Sequence, residues 1–317
     1  MADNQLGVGD GGDGDVFVYT GGVMPHDAAL PRPRVRIAEN IDTIPERTFF
    51  YFIGITEVEG HDEISKIERQ AFTNCPGLWR VNKMQGVKEI EAHAFYNCDI
   101  MTYVELGNLE IIGVRAFYNC RSLENMNMQS VRRVKTGAFQ GCREITEAVF
   151  GKDLERIERD AFLDCTSLRR ITIPLKDNLF ESNVFGNCHR LQTVQIVGGI
   201  EKTISSLHVE SWRDEMKEEI DRINQTLPDT RSAEKGAAIQ QWIETVLNRM
   251  EHYKAEHYTL LKEAMVLLEL ALWKAKLEDN GSNNIDTESV ELVRKQHRVT
   301  CGASIVIKNV LPFLVLK

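Results

Sequence analysis

Seven cysteines and eight histidines are the side chains with chemistry to offer. Six of the cysteines hold one repeating position: Cys75, Cys98, Cys120, Cys142, Cys165 and Cys188 each close an AF-x-x-C or VF-x-x-C stretch. Disulfides want Cβ atoms about 3.8 Å apart, whereas neighbours in a stack of repeats stand about 4.8 Å apart with parallel side chains. Zinc sites commonly show a C-x-x-C pair, and none occurs. A thiol nucleophile needs a basic partner, and no run of histidines accompanies the column. His252 and His257 fall on different sides of a helix, which makes a poor metal pair, and His257 reads as a satisfied histidine on an apolar stripe. Small, buried, free thiols in a reducing compartment are the favoured reading, with zinc as the alternative. No phosphate-binding glycine loop, G-x-S-x-G elbow or H-E-x-x-H pair occurs either. The residues point to no enzyme, no metal and no cofactor.

The elements that place these cysteines follow from period. Phe72, Phe95, Phe117, Phe139, Phe162 and Phe185 recur every 22 or 23 residues, and one step back lies Phe49, in a copy where Phe52 replaces the cysteine. A fixed period of this length means a solenoid, in which each unit packs only on its neighbours. Within a unit, apolar residues fall three, six and eight positions past the cysteine, as in Leu168, Ile171 and Ile173 after Cys165. The last two predict a short strand with one buried face. A second apolar pair, such as Val131 and Val134 or Leu154 and Ile157, precedes each Phe. One such unit cannot bury its apolar face alone, but about seven stacked units share a continuous core.

The pattern L-x-x-I-x-x-x-A-F-x-x-C-x-x-L, from about Ile41 to Ile196, resembles the BspA-type leucine-rich repeat, a bacterial-surface and protist class with 22–23-residue units. That resemblance implies a curved stack with a parallel sheet on one face, used to bind protein. FVYTGG at Phe17–Gly22, with the carboxyl-terminal half, is similar to leucine-rich repeat proteins expanded in diatom-type algae, a likeness that brings no activity with it. The departures are Phe52 for Cys, Thr48 and Val184 for Ala, and Asp177 where Leu154 would repeat. The last two predict a stack that weakens near its end.

The strand positions that flank the middle apolar residue are expected to face solvent. They include Glu57, Glu59, Arg80, Asn82, Tyr103, Glu105, Asn125, Asn127, Glu147, Arg170, Thr172, Thr193 and Gln195. Seven strands spaced about 4.8 Å make a recognition surface about 34 Å long for an unknown protein or peptide partner. The alternative is a solvated face with no ligand. A local basic excess at Arg132, Arg133, Lys135 and Arg143 lacks interleaved aromatics, so it reads as plain charged surface. The net charge of −9 also argues against a general nucleic-acid binder.

Residues 1–15 are acidic and glycine-rich and are expected to be a disordered tail. Residues 16–204 are the expected leucine-rich repeat solenoid, with 16–40 as its N-terminal cap, and 205–317 a helical module. Ser211 starts a helix with an apolar stripe through Trp212, Met216, Ile220, Ile223 and Leu227, stopped by Pro228. A long helix over 233–278 carries heptads through Ile243, Met250, His257, Ala264 and Ala271. Packing within the chain is the first reading of that helix, and self-association through its distal end the second. Beyond it come a loop, a short helix capped by Asp286, and an apolar tail over 305–316. With no secretory signal or membrane-length apolar run, the expected location is cytoplasmic. The fold class is a repeat solenoid of leucine-rich repeat type plus an α-helical carboxyl-terminal module. The expected function is a non-enzymatic protein-interaction or scaffold module. A self-assembling structural protein and an enzyme with a site between the modules are the alternatives.

Overall fold

A computed structural model of the chain describes residues 16–22 and 34–279, with side chains as far as Trp273. The expected acidic tail, the Asp286 helix, Cys301 and the apolar tail lie outside the described residues. The chain divides into two compact units, residues 1–203 with 218–247, and residues 204–217 with 248–317.

The repeats build parallel ladders. In front run β1 (Val16–Tyr19), β2 (Arg34–Ile37), β4 (Glu57–Glu59), β6 (Arg80–Asn82) and β8 (Tyr103–Val104), each hydrogen-bonded to the next. A second ladder joins β3 (Thr43–Ile44), β5 (Lys66–Ile67), β7 (Glu89–Ile90), β9 (Ile111–Ile112), β10 (Arg133–Val134) and β12 (Arg156–Ile157). The front face resumes with β11 (Glu147–Val149), β13 (Arg170–Ile173) and β14 (Thr193–Ile196). The second residue of each unit's second apolar pair, from Ile67 to Ile157, thus lies on a short strand of this second ladder. The row of seven strands anticipated for the front is interrupted, because the turn through Leu123–Met128 forms no ladder strand. There the Asn125 side-chain oxygen accepts from the amides of Thr146 (3.2 Å) and Glu147 (3.0 Å), standing in for backbone pairing. Asn125 and Asn127 disfavour strand, and the unbranched Met126 and Met128 add little preference for it.

The core is a column of rings. Phe49, Phe72, Phe95, Phe117, Phe139, Phe162 and Phe185 are fully buried. From Phe49 to Phe162, successive rings lie 5.0–5.3 Å apart and within 14° of parallel. That spacing is close to the strand repeat, and near-parallel rings so far apart are slipped, as the quadrupole prefers. The last step widens to 6.0 Å and 22°. It coincides with Val184 in the alanine position, where the sequence predicts weakening. At Asp177 the expected gap is filled from two residues on: Leu179 is buried, and Phe180 bridges to Ile157. At the other end Tyr19 tilts onto Phe49 at 5.3 Å, its hydroxyl donating to Gly22 O (2.7 Å).

Two residues per turn adopt the left-handed conformation. Asn74, Asn97, Asn119, Asp164 and Asn187 have φ between +55° and +62°, and Gly141 has φ +80° in the same column. Asparagine, aspartate and glycine tolerate this region better than other residues. Their side chains also link turn to turn, Asn97 Nδ2 donating to Asn74 Oδ1 (2.9 Å) and Asn119 Nδ2 to Asn97 Oδ1 (3.2 Å).

Past β14 the repeat pattern ends, and the chain forms α1 (Gly199–Ile204), followed by α2 (Glu210–Thr226) and α3 (Lys235–Asp279), the last unbroken over 45 residues. Three side chains from the parts of α2 and α3 in the repeat unit replace a next repeat. Asn224 accepts from Val194 N (2.7 Å) and donates to Val194 O (3.2 Å). Gln240 accepts from Leu179 N (3.0 Å), and the buried Lys235 ammonium donates to Leu191 O. Burial lowers the Lys235 pKa, against a smaller raising effect of Cys188. Ile220, Ile223, Leu227, Ile239, Trp242, Ile243 and Val246 are buried, and the Trp242 indole donates to Glu219 O (3.0 Å).

In the second unit Trp212 stacks on Tyr253 (5.1 Å), whose hydroxyl donates to Glu215. His257 is not the satisfied core histidine expected. Its half-buried ring stacks on His208 at 4.8 Å, and its Nδ1 has no hydrogen-bond partner. Burial first and the facing His208 second lower its pKa. From Tyr258 onward α3 exposes Leu260, Val266, Leu267, Leu268, Leu270 and Leu272.

Candidate functional site

Strand alternation sets the outward row of the front ladder. Val58, Val81 and Val104 point inward, so their neighbours point out. Register places Arg34, Glu57, Arg80 and Tyr103 side by side, with Arg36, Glu59 and Asn82 as the parallel row. Glu57 lies 3.7 Å from both Arg34 and Arg80. Glu59 meets Arg36 at 3.3 Å and also binds the Lys83 ammonium. The hydrogen bond from Lys83, aided by Arg36, holds the Glu59 carboxyl below the usual carboxylate range.

Not every expected residue is presented alike. Asn82 is buried and donates to Glu57 (3.3 Å), and Glu105 accepts from Gln85 Nε2 (2.8 Å). Asn125 and Asn127 are exposed but lie on no strand, and Asn127 accepts from Gln129 N (3.1 Å). Past the interruption, Glu147 pairs with Arg170 (3.2 Å), and Thr172 donates to Gln195 at 3.5 Å. Thr193 is partly exposed beside them. The structure therefore presents two groups, one on β4, β6 and β8 and one on β11, β13 and β14. Of the basic residues, Arg132 is paired with Glu155.

One residue of the first group escaped the reading of the strand positions. Trp79 precedes β6 and is 42% exposed, and Tyr103 is 45% exposed. The Arg80 guanidinium carbon lies 5.9 Å from the Trp79 ring centroid and 5.5 Å from that of Tyr103. Ile53 and Ile100 are exposed in the turns that lead into β4 and β8. The signal was available, because the position of Trp79 holds threonine in three other turns, Thr56, Thr102 and Thr146.

The thiol column is built for packing. Every column cysteine is free and buried, and each donates to the Phe carbonyl of the preceding turn at 3.0–3.1 Å. Burial pushes Cys75, Cys120, Cys142 and Cys165 well up, and Cys188 up to about 12. A thiol so protonated and enclosed is a weak nucleophile and a poor metal ligand. Among the described residues no group of three or more His, Cys, Asp or Glu is placed to hold a metal ion, and no helix is long and apolar enough to cross a membrane.

Parallel ladders, stacked rings and a 22–23-residue period together define a leucine-rich repeat solenoid. The chain belongs to the BspA type leucine rich repeat region family, whose repeats match residues 32–142 and 88–208, in six copies. Among solved structures it is similar to a leucine-rich repeat protein of T. pallidum, at 24% identity over 58% of this chain and 86% of that one, with a TM-score of 0.46. A leucine-rich cell surface protein of Faecalibacterium prausnitzii matches at 20% identity over 51% of this chain and 59% of its own, TM-score 0.35. A leucine-rich repeat protein of Bacteroides ovatus matches at 19% over 52% and 55%, TM-score 0.38. A search of curated proteins finds no match.

Proposed function

We propose that this protein is a non-enzymatic interaction or scaffold module that binds a protein or peptide partner on its front strand face. The observation that carries this reading is the exposure of Trp79 and Tyr103 around Arg80, on backbone held rigidly by parallel pairing. Tryptophan, tyrosine and arginine are the residues that dominate protein interfaces. A ladder of short strands presents them with little conformational entropy left to lose.

The reading is tested by placing a photo-crosslinking residue at Tyr103 and Thr172 on the front face, and at Lys88 and Arg133 along the second ladder. Adducts from the front positions alone are the expected result. Equal labelling from both ladders, or none from the front, would overturn it. A second reading, self-association, draws on the apolar side chains that α3 exposes from Tyr258 onward. Sedimentation at micromolar concentration separates the two, because a monomer has no use for that surface in self-assembly.

A further inference from the structure

We propose that Arg80, held between Trp79 and Tyr103, anchors an acidic segment of a partner protein that carries an apolar side chain beside its carboxylate. This assignment rests on the front-face reading above and names the chemistry of the partner. The argument is one of charge and layering. Arg34, Arg36, Arg80 and Lys83 have side chains 39–64% exposed, whereas Glu57 and Glu59, which they share, are only 17% and 29% exposed. The carboxylates are recessed and the cations stand outside them. Glu105 is already engaged by Gln85. An incoming group therefore meets the outer cations before the recessed Glu57 and Glu59, and an acidic one is attracted to them.

Arg80 differs from the other three cations in lying over two aromatic rings. Like Arg34 it stands 3.7 Å from Glu57, beyond hydrogen-bond length, and its Nε is buried without a hydrogen-bond partner. The guanidinium carbon lies 5.9 Å from the Trp79 centroid and 5.5 Å from that of Tyr103, and with Nε buried it is the terminal Nη groups that can grip a carboxylate through two bonds. The half-exposed rings of Trp79 and Tyr103 supply apolar contact on either side of that grip. A polyanion such as RNA fits less well, since four cations in an acidic molecule offer little counterion release.

The probe is a random twelve-residue peptide library displayed on phage and selected on the full chain. The expected enrichment is Asp or Glu adjacent to Leu, Ile, Phe or Trp. A synthetic copy of the leading peptide should lose about tenfold or more in affinity with Arg80→Ala, and a comparable amount with Trp79→Ala. Arg80→Lys should recover only part of that affinity, because lysine keeps the charge and loses the planar grip. Replacing the peptide's acidic residue by its amide should cost as much as Arg80→Ala. Circular dichroism and melting temperature of each variant verify that the fold is kept. If Thr172→Arg or Gln195→Arg weakens binding while Arg80→Ala does not, the front-face reading stands and this assignment falls. If none of these variants moves binding, both fall. Basic or uncharged selected peptides, or full competition by polyuridylate, would also overturn the assignment.

Discussion

At the scale of single residues, the phenylalanine and the cysteine of each turn act as a pair. The ring fills the interior and repeats at the strand spacing. The cysteine is small enough to stack behind it and donates its S–H to the neighbouring Phe carbonyl. Phe117→Ala, in mid-column, should destabilise the fold by about 3–5 kcal/mol, read from the urea midpoint. The thiols give a second expectation. Unfolded, a thiol ionises near 9.0, whereas Cys188 in the fold is pushed up to about 12. The folded state then holds more protons than the unfolded state across that window. The thiols' contribution to stability is therefore constant well below about pH 9 and is lost as pH rises towards 12, at up to about 1.4 kcal/mol per pH unit for each such thiol. Urea titrations at pH 8 and pH 10 measure the loss, and Cys142→Ala should reduce it by one thiol's share. A pH-independent difference between Cys142→Ala and the parent would contradict this account.

At the scale of elements, the turns and the closing helices decide whether the ladders persist. Asn97→Ala places an alanine at φ +57° and removes the amide that links Asn74 to Asn119, so it should cost about 1–2 kcal/mol, while Asn97→Gly should cost less. Asn224→Ala strands both the N–H and the C=O of Val194 and should cost about 1–3 kcal/mol, measured by thermal unfolding. These two positions show what was legible in the sequence. The period, the ring column and the thiol column follow from spacing, because one repeating register fixes them all, whereas Asn82, which the same spacing turns outward, is buried. The asparagine ladder shows as the letter before four of the six column cysteines, with Gly141 and Asp164 before the other two, but it is meaningful only once that residue is known to be left-handed. The interruption at Asn125 was hidden, because Leu123, Met126 and Met128 keep the apolar spacing while the residues between them give up the strand. Asn224, Lys235 and Gln240 carry no periodic signal, since contacts with the last turn depend on how helices fold back from far along the chain.

At the scale of the whole molecule, a solenoid is only as stable as its ends, because each turn is secured by its neighbours. The column starts under Tyr19 and ends at Phe185. Beyond Phe185 the repeat unit has no further turn, and residues 218–247 belong to the same compact unit. The helices in that stretch are thus a structural part of the repeat domain. A chain ending at Ile204 keeps every repeat but loses Asn224, Lys235 and Gln240. It should leave the edge of β14 and the last ring uncovered, and an open parallel edge over apolar surface aggregates. A chain ending at His257 keeps all three capping side chains together with Trp242 and Val246. It should remain soluble and melt cooperatively, with the repeat transition close to that of the parent. Size-exclusion chromatography and circular dichroism of the two truncations decide the matter. A soluble, cooperatively melting chain ending at Ile204 would show that the last repeat closes the column by itself and that the three side chains are incidental to it.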